Sequence, residues 1–449
     1  MPLSVLYSPR ASLVAFGVRF QQQHLWRLVV ERVHIKQKVR RHEPLAKVCD
    51  GFLNILSGGH GLNEINTRVR PDLALQRAFG RSTCAEQSSV SRTFNACTPE
   101  NVAQLRQGIE GLLQQQGQTY QHNYAQQPQV LDIDLTGLPA GALGEGVTKG
   151  YFAEQKNKRG RQLGRVLGSH YDEILVDWLY SGRQQLEQGL RGLIEHTAQL
   201  LNLDETKRKN TILRIDGGGG SDEHINWILQ RDYQLLIKVK NWKRAQKLAA
   251  TVACWIQDRK VSDRMVGWVQ NPHPYVRPTR QVAIRTPKKK GGWHYQVLVL
   301  TLSDAWVFDL CPYPRPPTDS DAEVLLASVH AYDQRSGGVE TQNRNDKQGL
   351  GLNRRNKQSF VAQEMLVLLA QFAHNILIWF RNDLARVHPL FEHYGLLRMV
   401  RDVLHIDGAV HMAADGTIQK VILNARHPLA ASVQQALSAD DLLANLRKI

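Results

Sequence analysis

Cysteine is scarce in this sequence, and its few cysteines show no paired spacing. They form an odd set without any Cys-x-x-Cys pair: Cys49, Cys84, Cys97, Cys254 and Cys311. This pattern argues against a zinc ribbon or a disulfide framework, because both need cysteines at short, matched spacings. It indicates a protein of a reducing compartment.

The sequence also lacks a hydrophobic run long enough to cross a membrane. The longest uncharged apolar run extends from Met365 to Phe380 and is interrupted by Gln371, His374 and Asn375, whereas a span needs about 20 apolar residues. The first residues, MPLSVLYSPRASLVAF, lack the basic-then-apolar order of a signal peptide. We therefore predict a buried helix at 365–380, no membrane partner and a cytoplasmic location.

Acidic residues are outnumbered by basic ones. The chain has 41 Asp and Glu against 57 Lys and Arg, a net charge of +16. Such an excess favours a polyanionic partner, nucleic acid ahead of a membrane surface, and the alternative is a basic protein without such a partner. With 449 residues, of which 42% are hydrophobic, the chain can form two or three domains with a sizeable core.

The N-terminal part of the chain has a helical pattern between residues 44 and 116. Ser88, Ser89, Ser91 and Arg92 stand near the start of one predicted helix, as in a helix-turn-helix-like DNA-binding module. A structural or dimerising role is the alternative, because any small helical domain has a similar pattern. The glutamine-rich segment QQQGQTYQHNYAQQPQ then separates this part from the next.

An α/β pattern follows the glutamine-rich segment. Val130 to Leu138 alternates as a strand, two further strands are predicted around Tyr151–Gln155 and Arg165–Leu179, and a helix is predicted at about 184–201. Thr211 to Val239 then indicates a strand, a tight turn of four glycines, a helix and a second strand. Together these elements predict a mixed five-stranded sheet with flanking helices.

Acidic residues stand on two of these strands. Asp132, Asp134 and Thr136 share the polar face of the first strand, and Asp216 ends the strand before the glycines. Asp is rare in strands, so a pair at alternate positions indicates a functional site more often than a solvated edge. Active sites of open α/β sheets lie beyond the carboxyl ends of the strands. The glycines match neither nucleotide-binding motif and favour a close approach of backbone or metal-bound phosphate to Asp216.

A β-rich segment separates these strands from the last helices. It contains a predicted hairpin around Lys288–Gly292 with a basic tip, which is either a solvated turn or a phosphate contact. Glu340 lies on the helical segment that follows. If Asp134, Asp216 and Glu340 converge, they provide the oxygen ligands that two Mg²⁺ ions need for phosphodiester chemistry.

The helical segment also carries the residues of a known signature. Asp134 with Thr136 on an alternating strand, Asp216 in IDGGGGSDE, and Tyr332, Arg335, Glu340 and Lys347 resemble the DDE transposases of bacterial insertion sequences. The similarity is to the group with a β-rich insertion before the last acid. Four residues separate Arg335 from Glu340 where that family has three, which predicts a local bulge at Gly337 and Gly338.

The resemblance implies an α/β, RNase-H-like core and a role for each matching residue. Asp134, Asp216 and Glu340 would be catalytic and hold two Mg²⁺ ions, for which Mn²⁺ can substitute. Tyr332, Arg335 and Lys347 would bind DNA, and Thr136 would support the metal ligands. Asp132 is the alternative first ligand, but the Asp-x-Thr pattern favours a supporting role for it as well.

The resemblance further implies cut-and-paste transposition by a nucleoid-associated bacterial enzyme. The partners would be double-stranded DNA, as terminal inverted repeats and target, and a second copy of the chain in the DNA complex. The alternatives are a transposase-derived DNA-binding protein that no longer cuts, and a related metal-dependent nuclease.

The predicted regions follow from these assignments. They are a helical DNA-binding or dimerisation region (1–120), the first part of the core (128–240), the β-rich insertion (241–320), the last part of the core with the Glu340 helix (321–382) and a C-terminal region with a hairpin (383–449).

Overall fold

The computed structural model describes residues 4–150, 152, 158–316 and 320–439 of the chain. Its contacts divide the chain into two compact units. The first comprises Met1–Gln116, Gly137–Arg161 and Gln342–Ile449, and the second comprises Gly117–Thr136 and Gln162–Thr341. The five functional regions expected from the sequence are defined by role and stay a prediction.

Strands occur throughout the described residues. They are β1 (Ser4–Ser8), β2 (Gln129–Pro139), β3 (Thr148–Lys149), β4 (Arg159–Gly168), β5 (Glu173–Ser181), β6 (Thr211–Ile215), β7 (Gln234–Lys238), β8 (Ile256–Gln257), β9 (Met265–Trp268), β10 (Arg280–Pro287), β11 (Trp293–Leu300), β12 (Gly408–Met412) and β13 (Ile418–Leu423).

The α-helices alternate with these strands or form helical stretches. They are α1 (Ala11–Gln22), α2 (Arg27–Arg32), α3 (Pro44–Leu56), α4 (Ile65–Arg68), α5 (Leu73–Ala78), α6 (Gln87–Ala96), α7 (Pro99–Gln116), α8 (Leu186–Leu200), α9 (Glu205–Lys209), α10 (Asp222–Leu229), α11 (Trp242–Ala249), α12 (Asp304–Leu310), α13 (Asp321–Arg335), α14 (Thr341–Gly349), α15 (Phe360–Val387), α16 (Leu396–Arg398) and α17 (Ala430–Ala439).

The first unit is mainly helical and packs around α15. Among the described residues, α15 is the one helix long and apolar enough to cross a membrane by length and composition, and 89% of its most apolar window is buried inside the protein. Its Phe372 packs against Phe52 of α3, with ring centroids 5.0 Å apart. The predicted buried helix at 365–380 is therefore confirmed.

A three-stranded sheet within this first unit joins β1 to the hairpin of β12 and β13. β1 pairs antiparallel with β12, and β12 pairs antiparallel with β13. The β12–β13 hairpin confirms the predicted C-terminal one, and Gly416 at its turn has a positive φ of 87°. The first 43 residues, for which the sequence showed no period, contribute β1, α1 and α2.

The second unit is organised by one mixed sheet. Its strand order is β5-β4-β2-β6-β7-β11-β10-β9-β8, in which β2, β6 and β7 run parallel. Within the first unit, the short β3 pairs with the first residues of β4. The mixed α/β class is thus confirmed, as is the strand, glycine turn, helix and strand order over β6, α10 and β7.

The predicted sheet of five strands was too small. β11 pairs antiparallel with β7, so the strands of the β-rich segment extend the same sheet, which has ten strands in all. The hairpin predicted around Lys288–Gly292 does form, with Pro287 opposite Trp293. Pairing across an exposed strand edge depends on distant residues, so a reading of the local pattern missed it.

The single strand predicted at Arg165–Leu179 was also wrong, because this stretch holds the end of β4 and most of β5. Both strands are buried along most of their length, and the turn between them, SHYD, contains neither Gly nor Pro. Asp172 takes the positive φ of 56° that the turn requires. The strand predicted at Tyr151–Gln155 lies outside the described residues except for Phe152.

Candidate active site

Three parallel strands of the second unit change from apolar to charged along one face. Because side chains alternate along a strand, Val130, Asp132 and Asp134 of β2 share a face. The same holds for Ile212 and Arg214 of β6, with Asp216 directly after it, and for Leu236 and Lys238 of β7. Val130, Ile212 and Leu236 belong to the apolar cluster that also contains residues of α13. The charged residues follow toward the carboxyl ends of the parallel ladders, where Asp216 and Lys238 come directly after the partners Ile215 and Ile237.

Arg335, the last residue of α13, joins two of the predicted catalytic acids. Its Nη2 donates to Asp134 Oδ1 at 2.5 Å, and its Nη1 donates to Glu340 Oε1 at 2.5 Å. The Arg335 side chain is 5% exposed, that of Asp134 is 16% exposed and that of Glu340 is 49% exposed. One buried guanidinium therefore holds the two carboxylates together.

A π-helical turn brings Glu340 to Arg335. Residues Ser336–Glu340 form this turn between α13 and α14, and Gly338 within it departs from helical geometry with φ −82° and ψ −111°. A π turn takes up one more residue than an α turn. The extra residue between Arg335 and Glu340 is thus accommodated, and the bulge predicted at the glycines is confirmed.

Tyr332 links α13 to the third acid. Its hydroxyl donates to Asp216 Oδ1 at 3.3 Å, and its ring is buried. The Lys238 ammonium lies 4.9 Å from the centre of the same ring. Asp216, Tyr332 and Lys238 therefore form one group beside the Arg335 guanidinium.

The charges of the site keep Asp216 ionised. Burial acts to raise the pKa of Asp216, but the charge of Arg335, the Gly217 N–H, the charge of Lys238 and the Tyr332 hydroxyl outweigh it, so the pKa lies below its ordinary value. Burial lowers the pKa of Lys238, although the charge of Asp216 acts in the opposite direction. Burial and then the Asp216 charge raise the pKa of Tyr332, which keeps the phenol a hydrogen-bond donor.

Asp132 lies behind this site in a buried ion pair. Its Oδ1 and Oδ2 accept from Nε and Nη2 of Arg214 at 2.5 and 2.8 Å, and Ser169 donates to Oδ2 at 2.7 Å. Arg214 Nη1 also donates to the Ala331 carbonyl of α13 at 2.8 Å. Asp132 is fully buried because α13 covers that face of the strand, so the alternative of a solvated strand edge does not apply to it.

Glycines allow two close approaches at the site. A Cβ on Gly338 would lie 2.5 Å from Asp132 Oδ2, and a Cβ on Gly220 would overlap the Lys238 carbonyl oxygen. The Gly220 carbonyl also accepts from the Lys240 N–H at 2.9 Å. This close approach is to the backbone that follows β7, and the approach of backbone or metal-bound phosphate to Asp216 stays a prediction.

The acids fit a divalent metal by their chemistry. Carboxylate oxygens are the ligands that Mg²⁺ prefers, and a cationic guanidinium already lies between Asp134 and Glu340. As the side chains stand, no three His, Cys, Asp or Glu groups within the described ranges lie close enough to hold one ion. A metal ion would therefore have to replace contacts that Arg335 now makes.

The structure brings most of the predicted site residues together. Asp134, Asp216, Tyr332, Arg335 and Glu340 surround one another in the second unit, and Thr136 is half-buried further along β2. Lys347 is half-buried on α14 and belongs to the first unit. The catalytic, metal-binding and DNA-binding roles assigned to these residues stay predictions.

Sequence reasoning missed Arg214 and Lys238. Both share the strand face of the predicted acids, so the alternation that singled out Asp134 could have singled them out as well. A basic residue within or at the end of a strand is usually solvated, and only the packing of α13 shows that Arg214 is buried and Lys238 half-buried.

Comparison with known proteins adds two similarities. Residues 22–393 match the family described as "Transposase DDE domain group 1". A cryo-EM structure of a piggyBac transposase synaptic complex with hairpin DNA is similar over 99% of this chain and 84% of that chain, with 12% sequence identity and a TM-score of 0.48. No curated protein sequence matches the chain.

Proposed function

The chain belongs to the group 1 DDE-domain transposases, and from this premise we propose that it is the DNA-cutting and DNA-joining enzyme of a bacterial insertion sequence. The observation that carries the proposal is the Arg335 contact with both Asp134 and Glu340, beside Asp216. It gathers the three acids at the carboxyl end of a parallel sheet, where α/β enzymes place their chemistry.

We further propose that the core is RNase-H-like. In chain order the predicted core strands are β2, β4, β5, β6 and β7, and their order in the sheet is β5-β4-β2-β6-β7. The first strand is thus central, and β6 and β7 continue parallel to it. This arrangement is the one expected of an RNase-H-like core, and the β-rich insertion follows it as β8–β11.

The proposed reaction has two steps. Water attacks a phosphorus atom at the element end, the bond from phosphorus to the 3′-oxygen breaks, and the 3′-oxygen takes up a proton. That 3′-hydroxyl then loses its proton as its oxygen attacks a phosphorus of target DNA, which releases a new 3′-hydroxyl on the target strand. Two such events join both 3′ ends of the element to the target, and cut-and-paste movement also requires cleavage of the second strand at each end.

Asp134, Asp216 and Glu340 are the residues that would hold Mg²⁺ or Mn²⁺. Two such ions, when bound, activate the attacking oxygen and stabilise the leaving oxygen. The lowered pKa of Asp216 supports this role, because a metal ligand must be deprotonated. Tyr332 keeps Asp216 in place, and Arg335, released from the acids, can contact a DNA phosphate.

The net charge of +16 supports double-stranded DNA as the partner. We propose that Lys347, α6 and the basic tip at Lys288–Gly292 contribute to this binding. We also propose a dimer in the DNA complex, because two element ends must be held together, and a nucleoid-associated location in the bacterial cytoplasm.

A cleavage assay tests the proposal. The substrate is DNA that carries the two genomic segments flanking the gene, incubated with Mg²⁺ or Mn²⁺ and the full-length protein. We expect cuts at the segment ends and strand transfer, and we expect Asp216→Asn and Glu340→Gln to abolish both. The matched control is Asp304→Asn, which alters an exposed acid paired with Arg280 and should retain activity.

The outcomes separate the alternatives. Activity retained in Asp216→Asn or Glu340→Gln would contradict the proposed site. Specific binding of the flanking DNA without cleavage would indicate a DNA-binding protein that no longer cuts. Cleavage without joining, and without preference for the flanking segments, would indicate a nuclease.

A further inference from the structure

β7 ends in a basic residue, Lys238. This residue belongs neither to the transposase signature nor to the proposed metal ligands. It follows Ile237, which pairs with Ile215 in the parallel register, so it stands next to Asp216 at the same edge of the sheet. On its other side β7 pairs with β11 at Leu298. Its backbone is thus fixed by two strands.

The ammonium group of Lys238 is held in the site without an acceptor. It lies over the Tyr332 ring, 4.9 Å from the ring centre, and its charge acts on Asp216, Arg335, Asp333 and Glu340. No hydrogen bond or ion pair of this ammonium group joins it to another described residue, and the side chain is half-buried. A half-buried ammonium that lacks acceptors gains when a ligand supplies them.

Lys240, two residues further along the chain, differs from Lys238 because its ammonium group has an acidic partner. Its Nζ forms an ion pair with Glu187, and its side chain is 39% exposed. Lys243 and Lys247 follow on α11, on the next element. Lys238 is therefore set apart from the nearby basic residues by its position between Asp216 and Tyr332, and it is not part of a general cationic surface.

We propose that Lys238 is a further residue of the reaction, whose ammonium group donates hydrogen bonds to a non-bridging oxygen of the DNA phosphate that is cut. This inference rests on the proposed function. Negative charge on the non-bridging oxygens must be stabilised in phosphoryl transfer, and a fixed donor at that point is worth much more in a partly desolvated site than in water. Asp216 places the reaction beside Lys238.

The test compares Lys238→Met, which keeps the length of the side chain but removes its charge, with Lys238→Arg and with Lys240→Met. Cleavage of DNA carrying the flanking genomic segments is measured under single-turnover conditions in Mn²⁺. We expect Lys238→Met to be about 100-fold slower, Lys238→Arg to recover most of the loss, and Lys240→Met to match the wild type. Equal thermal unfolding of all variants shows that folding is unchanged.

A second readout reports the contact itself. Each non-bridging oxygen of the cut phosphate is replaced in turn by sulfur, and Mn²⁺ is used because it tolerates sulfur ligands better than Mg²⁺ does. We expect sulfur at one of the two positions to slow DNA cleavage by the wild-type protein. The same substitution should not slow cleavage by Lys238→Met. The same sulfur effect in both proteins would overturn the proposed contact, including the case in which Lys238 only supports the fold.

Different experimental results would overturn this inference and the proposed function. If wild-type protein cuts the DNA and Lys238→Met cuts it at the same rate, this inference is overturned and the proposed function stands. If wild-type protein does not cut the DNA, the proposed function is overturned and the inference falls with it.

Discussion

Replacing Gly338 by alanine tests the packing that places Glu340. The new Cβ would lie 2.5 Å from Asp132 Oδ2, closer than real Cβ contacts occur. Asp132 cannot yield easily, because Arg214 and Ser169 hold its two oxygens at 2.5 to 2.8 Å. We therefore expect the π turn to shift and the mutation to be destabilising.

The size of the effect follows from overpacking in a tight interior, which costs about 1–3 kcal/mol. For a domain of 150–250 residues this corresponds to about 2–4 °C in melting temperature per kcal/mol. Because Glu340 follows Gly338 within the same turn, the rate of DNA cleavage should fall as well.

Gly337 provides the matched control. A Cβ there has no neighbour within 4 Å, and alanine restricts the unfolded chain more than glycine does. Gly337→Ala should therefore leave the protein unchanged or stabilise it by up to about 1 kcal/mol, with cleavage retained. Thermal unfolding and single-turnover cleavage measure both variants. Equal melting temperatures and rates for the two alanine variants would refute the packing of Gly338 on Asp132.

Three further predictions concern the charges of the site. Asp132→Asn should cost about 3–5 kcal/mol in urea unfolding, because it leaves the buried Arg214 without its counter-charge; a wild-type stability would contradict the buried pair. The lowered pKa of Asp216 means that its carboxylate contributes stability above about pH 4, the ordinary value for Asp, and loses it as the pH falls through the lowered value. The wild type should thus be more stable than Asp216→Asn at neutral pH, and the difference should close in strong acid; a constant difference across an acid titration would count against the shift. Arg335→Lys should slow cleavage about 100-fold or more, because an ammonium group lacks the fork with which the guanidinium would bind a DNA phosphate, and an unchanged rate would exclude that contact from the reaction.

Much of the site could be predicted from local sequence. Asp134 lies on a strand and Asp216 directly follows one, and the alternation of both strands is encoded by adjacent residues. The four glycines after Asp216 mark where its strand ends. Tyr332 and Arg335 occupy one helix at a spacing that brings them to the same side. These features depend on short-range periodicity, so they are readable before any tertiary contact is known.

For the extra residue before Glu340, the local pattern predicts the bulge but not the position to which it brings Glu340. The glycines in SGGV indicate a bulge, which the structure confirms as a π turn at Ser336–Glu340. The turn returns Glu340 to the Arg335 guanidinium because Gly338 packs closely against Asp132. Asp132 lies on a strand more than two hundred residues earlier.

By itself, the sequence determined the mixed α/β class, the position of Asp134 on a strand and of Asp216 at a strand end, and the helical signature that carries Glu340. Tertiary structure alone decided that Asp132 pairs with Arg214 inside the protein, that Lys238 stands beside Asp216, and that the strands of the insertion extend the core sheet. The reason is physical: alternation and turn formation act between neighbouring residues, whereas burial of a charge and pairing at a sheet edge depend on which distant segment covers them.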